Sequence, residues 1–169
     1  MKQERRLAWR VLRDWREIAD RGRFPRRDEV QPWLRGEDAA NGLLIEVGWS
    51  IELSQFVLVG VNLAGVLCPT GTLAKLILSR VPQVVSSHRG LMIEGVATLR
   101  SMSIVYRTVL LPLSEDSITI DHVLGAMNSR PLRITEARTT QVSFRRLPMA
   151  PQNASKCRRH PGSDTIASY

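Results

Sequence analysis

Residues 104–127, IVYRTVLLPLSEDSITIDHVLGAM, read as two strands joined by a polar turn at Ser114-Glu115-Asp116-Ser117. Ile104 to Leu111 is nearly all β-branched, aromatic or leucine, side chains that suit a pleated, half-buried surface. Pro112 has no N–H to give to a central ladder, which places it at a strand end or on an edge. Regular alternation after the turn puts Ile118, Ile120, Leu124 and Ala126 on one face. The rest of the chain reads as cover for this hairpin.

Upstream, Leu91 to Leu99 has β character, weakened at Gly95. Thr72 is placed to cap a helix with Leu73, Leu76 and Ile77 on one face, and Pro82 ends or kinks it. Gln83 to Arg89 fits either a second short helix or a loop. Cys68-Pro69-Thr70-Gly71 breaks the pattern ahead of that helix. Leu43–Trp49 and Phe56–Leu63 have strand composition, with Asn41-Gly42 as a turn signal before the first. Their short link makes them a hairpin.

Residues 5–20 carry Leu7, Ala8, Val11, Leu12, Trp15, Ile18 and Ala19 at helical spacing, with Arg6, Arg10, Arg13, Arg16 and Glu17 opposite and Gly22 as a stop. The stripe at Val11, Trp15 and Ile18 marks an interaction face. It packs on the chain's own sheet or on a second copy, which gives a homodimer through this helix. Asp14, Glu17 and Asp20 dilute the arginine face, which favours docking on the domain over a membrane or nucleic-acid surface. Arg23 to Leu34 reads as a connector. Pro25 and Pro32 rule out one continuous helix, Phe24 and Trp33 pack down, and Arg26 and Arg27 lie near Asp28 and Glu29.

The element order is helix, strand, strand, short helices, then three strands, an α+β arrangement. Residues 1–35 form the N-terminal helix and connector, 36–130 the central domain, and 131–169 a basic, mostly disordered tail. That tail holds four of the nine prolines and few large apolar residues outside Gln141-Val142-Ser143-Phe144. Charge follows the same division, at +5, −2 and +5. Basic ends can meet nucleic acid, anionic lipid or an acidic protein, and they also keep a small protein soluble.

The chemistry of catalysis leaves little trace. No GxSxG, HExxH, GxxxxGK[ST] or GxGxxG occurs. Asp121 and His122, as neighbours on a strand, point to opposite faces and do not form a dyad. Glu115-Asp116 is explained by a turn. Cys157 and His160 are two ligands, short of the three or four that zinc needs. The sequence therefore predicts a protein that is not an enzyme and has no metal or covalent cofactor. Cys68 and Cys157 form no disulfide framework, the N-terminus MKQERR lacks an apolar signal region, and Phe56 to Leu67 is too short to span a membrane. A cytoplasmic location is expected.

Several pieces, in order, resemble the bacterial family of short single-domain PAS proteins of largely unassigned function. They are the helix Ala8 to Ile18 with its spaced tryptophans, Phe24-Pro25-Arg26-Arg27-Asp28 with Pro32, and a strand ending in Gly60. The strongest is Leu111-Pro112-Leu113-Ser114-Glu115-Asp116 followed by Ile120-Asp121-His122-Val123-Leu124-Gly125. The resemblance covers roughly residues 7–130. It implies a five-stranded antiparallel sheet in the order 2-1-5-4-3, small helices on one face, and an N-terminal helix outside the PAS core. Val61 to Gly71, VNLAGVLCPTG, departs from the pattern, lacking the aromatic residue and glycine pair that relatives carry there.

The resemblance also implies a ligand cavity, for which Val61, Leu67, Cys68, Leu76, His88 and Tyr106 are the candidate lining. Cys68 lies in LCPTG and does not match the GxNCRFLQ segment of flavin-binding PAS domains. His88 is the histidine nearest the small helices, where haem PAS domains take an axial ligand. It lacks a supporting motif, as does His122. The implied function is a sensory or interaction module that binds a small apolar ligand or a protein partner and relays a conformational change. The alternative is a small basic regulator associated with nucleic acid. Against it, the basic residues are not interleaved with aromatics and no DNA-reading helix pair is evident.

Overall fold

The apolar run around Tyr106 forms β4, Met102–Leu113, and its partner is β5, His122–Pro131. They pair antiparallel in unbroken register from Ile104↔Pro131 to Leu113↔His122. The computed structural model describes residues 4–19, 23–68, 71–99, 102–132 and 143–147. The return strand starts at His122, later than the sequence pattern predicts. Asp116 is the cause: its carboxylate accepts the N–H groups of Ile118 and Thr119 and holds 114–121 as a closed loop. Ser117 takes a left-handed φ of 64° within it, and Ile118 is 77% exposed. Ile118 thus leaves the face on which Leu124 and Ala126 pack.

Around this hairpin lie β1 (Gly42–Glu46), β2 (Gln55–Val59), β3 (Leu91–Leu99) and β6 (Ser143–Arg146). The sheet is antiparallel in the order β2-β1-β5-β4-β3-β6. Its first five strands have the PAS-like order 2-1-5-4-3. The sixth comes from residues 143–146, within the stretch that the sequence assigns to the tail. An unpaired β3 edge is a template for any extended segment, and Ser143–Arg146 takes it. The Leu147 N–H bonds to the Gly90 carbonyl at 3.1 Å, and the Leu147 side chain is buried. Residues 133–142 and 148–169, with Cys157 and His160, lie outside the described residues.

Strand alternation sends side chains to two separate cores. Leu43, Ile45, Ile93, Tyr106, Leu110, Val123 and Met127 face the short helices α3 (Thr72–Leu78) and α4 (Val81–Ser87). Leu44, Val109, Leu111, Leu113, Leu124 and Ala126 face α1 (Glu4–Ala19) and α2 (Arg27–Arg35). Gly71, one residue before Thr72, occupies the cap position of α3. Pro82 opens α4 instead of ending a helix, because first-turn N–H groups have no helical acceptor to lose. At Gly60 a side chain would collide with the carbonyls of Ala39 and Ala40, so the 3-10 turn Glu37–Asn41 crosses directly over it.

The connector is also more regular than expected, since α2 runs through Pro32. Pro32 has no N–H for the Asp28 carbonyl, which costs the helix one bond. Both ends are held regardless. The Glu29 carboxylate accepts the Arg26 backbone N–H at 2.9 Å and pairs with Arg23, and Val30 and Leu34 are buried.

The N-terminal segment closes a gap in the sheet. β3 begins opposite Leu110, so Leu111 to Ser114 have no strand on that side. The Leu113 carbonyl accepts the Asp121 N–H from the β5 side at 3.3 Å, so the polar groups of Pro112 and Ser114 point the other way. There the Trp15 indole N–H donates to the Pro112 carbonyl at 2.9 Å, and the Ser114 N–H donates to the Pro25 carbonyl at 3.1 Å. Pro112 is tolerated because its missing N–H faces no strand. Trp15→Phe should keep most of the packing and lose about 1 kcal/mol with the hydrogen bond. Trp15→Ala should lose roughly 3–5 kcal/mol. Urea unfolding followed by circular dichroism measures both.

Candidate functional site

Two buried hydroxyls mark the core under α3 and α4. Tyr106 and Thr108 are two residues apart on β4, so both side chains leave the same face of the sheet. Thr108 pairs with Ile93 on one side and Met127 on the other, in aliphatic surroundings. Both residues are buried, and neither hydroxyl has a hydrogen-bond partner among the described residues. Burial pushes the Tyr106 phenol up from its ordinary range, against the opposing charge of Arg80. On the opposite face of the sheet, the indole N–H of Trp33 also lacks a partner among the described residues, but as a single group.

The expected cavity residues separate into two sets. Leu67 and Tyr106 are buried between the sheet and the short helices, and Leu76 packs against them. Val61 and Cys68 are exposed, each on the stretch between β2 and α3. His88 is exposed where α4 ends, in a left-handed conformation, with its ring 5.8 Å from that of Phe24. These three therefore do not join the buried core that holds Tyr106. Thr108 was not expected; the signal that finds it is its even spacing from Tyr106 on a strand. Of the helical stripe, Val11 and Trp15 are buried against the chain's own sheet, and Ile18 packs beside them.

A second polar cluster closes the β4–β5 loop. Asp116 accepts from the Ser114 hydroxyl at 2.8 Å and from the Ile118 and Thr119 N–H groups. Asp121 corrects the reading of its sequence. It precedes β5, so its carboxylate turns back: one oxygen accepts the Glu115 N–H at 2.9 Å and the other lies 2.7 Å from His122 Nδ1. With the proton on Nδ1, the imidazole donates to Asp121. This pair ties the loop to the strand.

The arginines of the N-terminal region meet acids of the same chain. Arg10 pairs with Asp38, Arg13 with Asp14 and Glu17, and Arg26 with Asp28 and Glu115. Each arginine in these pairs is largely exposed, so their contribution to stability is small, but they use up much of the positive face. Among the described residues no group of three or more His, Cys, Asp or Glu is placed to hold a metal ion. No helix among them is long and apolar enough to cross a membrane. Comparison with protein-family models, with curated proteins and with solved structures gives no match. The likeness to PAS domains rests on strand order and on the placement of the short helices.

The hydrogen bonds from Thr119, Ile118 and Ser114 hold the Asp116 carboxyl well below the usual aspartate range. A depressed folded-state pKa gives stability that is present above the unfolded value and lost as pH falls towards the folded one. Stability should therefore decline as pH drops below about 4. Asp116→Asn should flatten that acid limb and lower stability at neutral pH. Urea midpoints from pH 2.5 to 6 measure the difference.

Proposed function

We propose that this chain is a PAS-like sensory module whose signal is a small, mainly apolar molecule carrying a hydrogen-bonding group. The molecule sits between β4 and the α3–α4 pair. The observation that carries this reading is the pair of hydroxyls on Tyr106 and Thr108 that have no hydrogen-bond partner among the described residues. A buried hydroxyl without a partner costs about 1–3 kcal/mol, and phenylalanine and valine would fill nearly the same space. Two such groups on one aliphatic face favour a bound molecule that accepts from or donates to both. The reading is of a binding module acting in the cytoplasm. Its output in this reading is a contact with a partner protein. The ion pairs along the N-terminal arginines weigh against the nucleic-acid alternative.

Native mass spectrometry and thermal shift against small amphipathic compounds test this. Wild-type protein should gain several degrees with compounds that combine an aliphatic body and one polar group. Tyr106→Phe and Thr108→Val should lose that gain while melting at or above the wild-type temperature without ligand. A double variant that keeps the full ligand response would contradict the assignment.

A further inference from the structure

The outer edge of β2 is built differently from the opposite edge of the sheet. β6 ends its side with Ser-Phe-Arg-Arg, and charged residues are a common way to keep a strand edge from pairing. β2, Gln-Phe-Val-Leu-Val, carries no charge and no proline. The register against β1 shifts between Leu44 and Ile45, and Val57 is left without a partner and exposed. Around it lie further exposed apolar side chains. Trp49 (92% exposed) and Leu53 stand in the β1–β2 connection, and Val61 (79%) follows the strand.

The charge of this region runs against that of the whole. Residues 36–74 contain Glu37, Asp38, Glu46 and Glu52 and no lysine, arginine or histidine, in a chain of net charge +8. Asp38 is paired with Arg10, whereas Glu37, Glu46 and Glu52 are exposed. Glu46 lies opposite Gln55, the first residue of β2, and Glu52 stands just before the strand. We infer that the β2 edge is a docking site for an extended segment of a partner protein that alternates apolar residues with lysine or arginine. Main-chain bonds to β2 would supply the pairing, Trp49, Leu53 and Val61 would take the apolar side chains, and the glutamates would select the basic ones. A second copy paired through its own β2 would bring glutamates of like sign together, which disfavours that occupant.

Fluorescence anisotropy with the full chain and labelled synthetic peptides tests the inference. The probes are an alternating Val/Lys peptide of about ten residues, a Val/Glu peptide of the same pattern, and the Val/Lys peptide with a central proline. The Val/Lys peptide should bind at least about tenfold tighter than either control, and several-fold more weakly in high salt. Val57→Lys and Trp49→Ser should each weaken it, with melting temperatures unchanged because both side chains are exposed. Equal binding of the Val/Lys and Val/Glu peptides would overturn the inference, as would wild-type affinity in both variants. A concentration-dependent dimer that Val57→Lys abolishes would assign the edge to a second copy instead.

Discussion

The fold depends on how the end of β4 is closed. β4 is a central strand, with β5 along one side and β3 along the other, yet β3 stops short of Leu111. Buried backbone carbonyls and N–H groups must be paired. Here the partners come from outside the sheet, the Trp15 indole and the Pro25 carbonyl. One tryptophan thus fills the core under α1 and satisfies a backbone group that no strand reaches. The proline at 112 and the helix at residues 4–19 are two halves of one solution. Either alone would leave a buried polar group open or an apolar stripe uncovered.

That arrangement also assigns the faces of the sheet. α1 and α2 cover one side, and α3 and α4 cover the other. It is under α3 and α4 that Tyr106 and Thr108 bring polar atoms into aliphatic surroundings. β1 connects this core to the β2 edge. Ile45 pairs with Val123 of β5 and with Phe56 of β2, and its side chain lies in the same core as Tyr106. The core beneath α3 and α4 is therefore contiguous with the β2 edge through one strand.

Much of this was legible in the residues. The β-branched run at 104–111, the Asn41-Gly42 signal and the apolar spacing at 7–19 each agree with the element formed. Their order resembles that of PAS domains, and the sheet order 2-1-5-4-3 that this resemblance implies is the one the first five strands take. What escaped the pattern was decided by contacts distant in the chain or by single side chains. The loop at 114–121 is held by one carboxylate, which no periodicity reports. Asp121 turns toward His122 because it stands one residue outside the strand. α2 survives Pro32 through Glu29 and its buried anchors. β6 forms because an edge was free, and only the short Val142–Phe144 patch hinted at it. Exposure at Val61, Cys68 and His88 follows from where the β2–α3 stretch and the end of α4 lie on the surface, which spacing alone does not show.

The most direct test of the central claim is amide hydrogen exchange at Ser114, whose N–H is bonded to the Pro25 carbonyl, compared between wild type and Trp15→Phe. If the N-terminal segment closes β4 as a unit, loss of the indole bond loosens the Pro25 contact as well. Ser114 then exchanges about tenfold faster or more, while the amides of β4 that pair with β5 stay protected. Unchanged protection at Ser114 in the variant would contradict the account, because β4 would then be closed without its tryptophan.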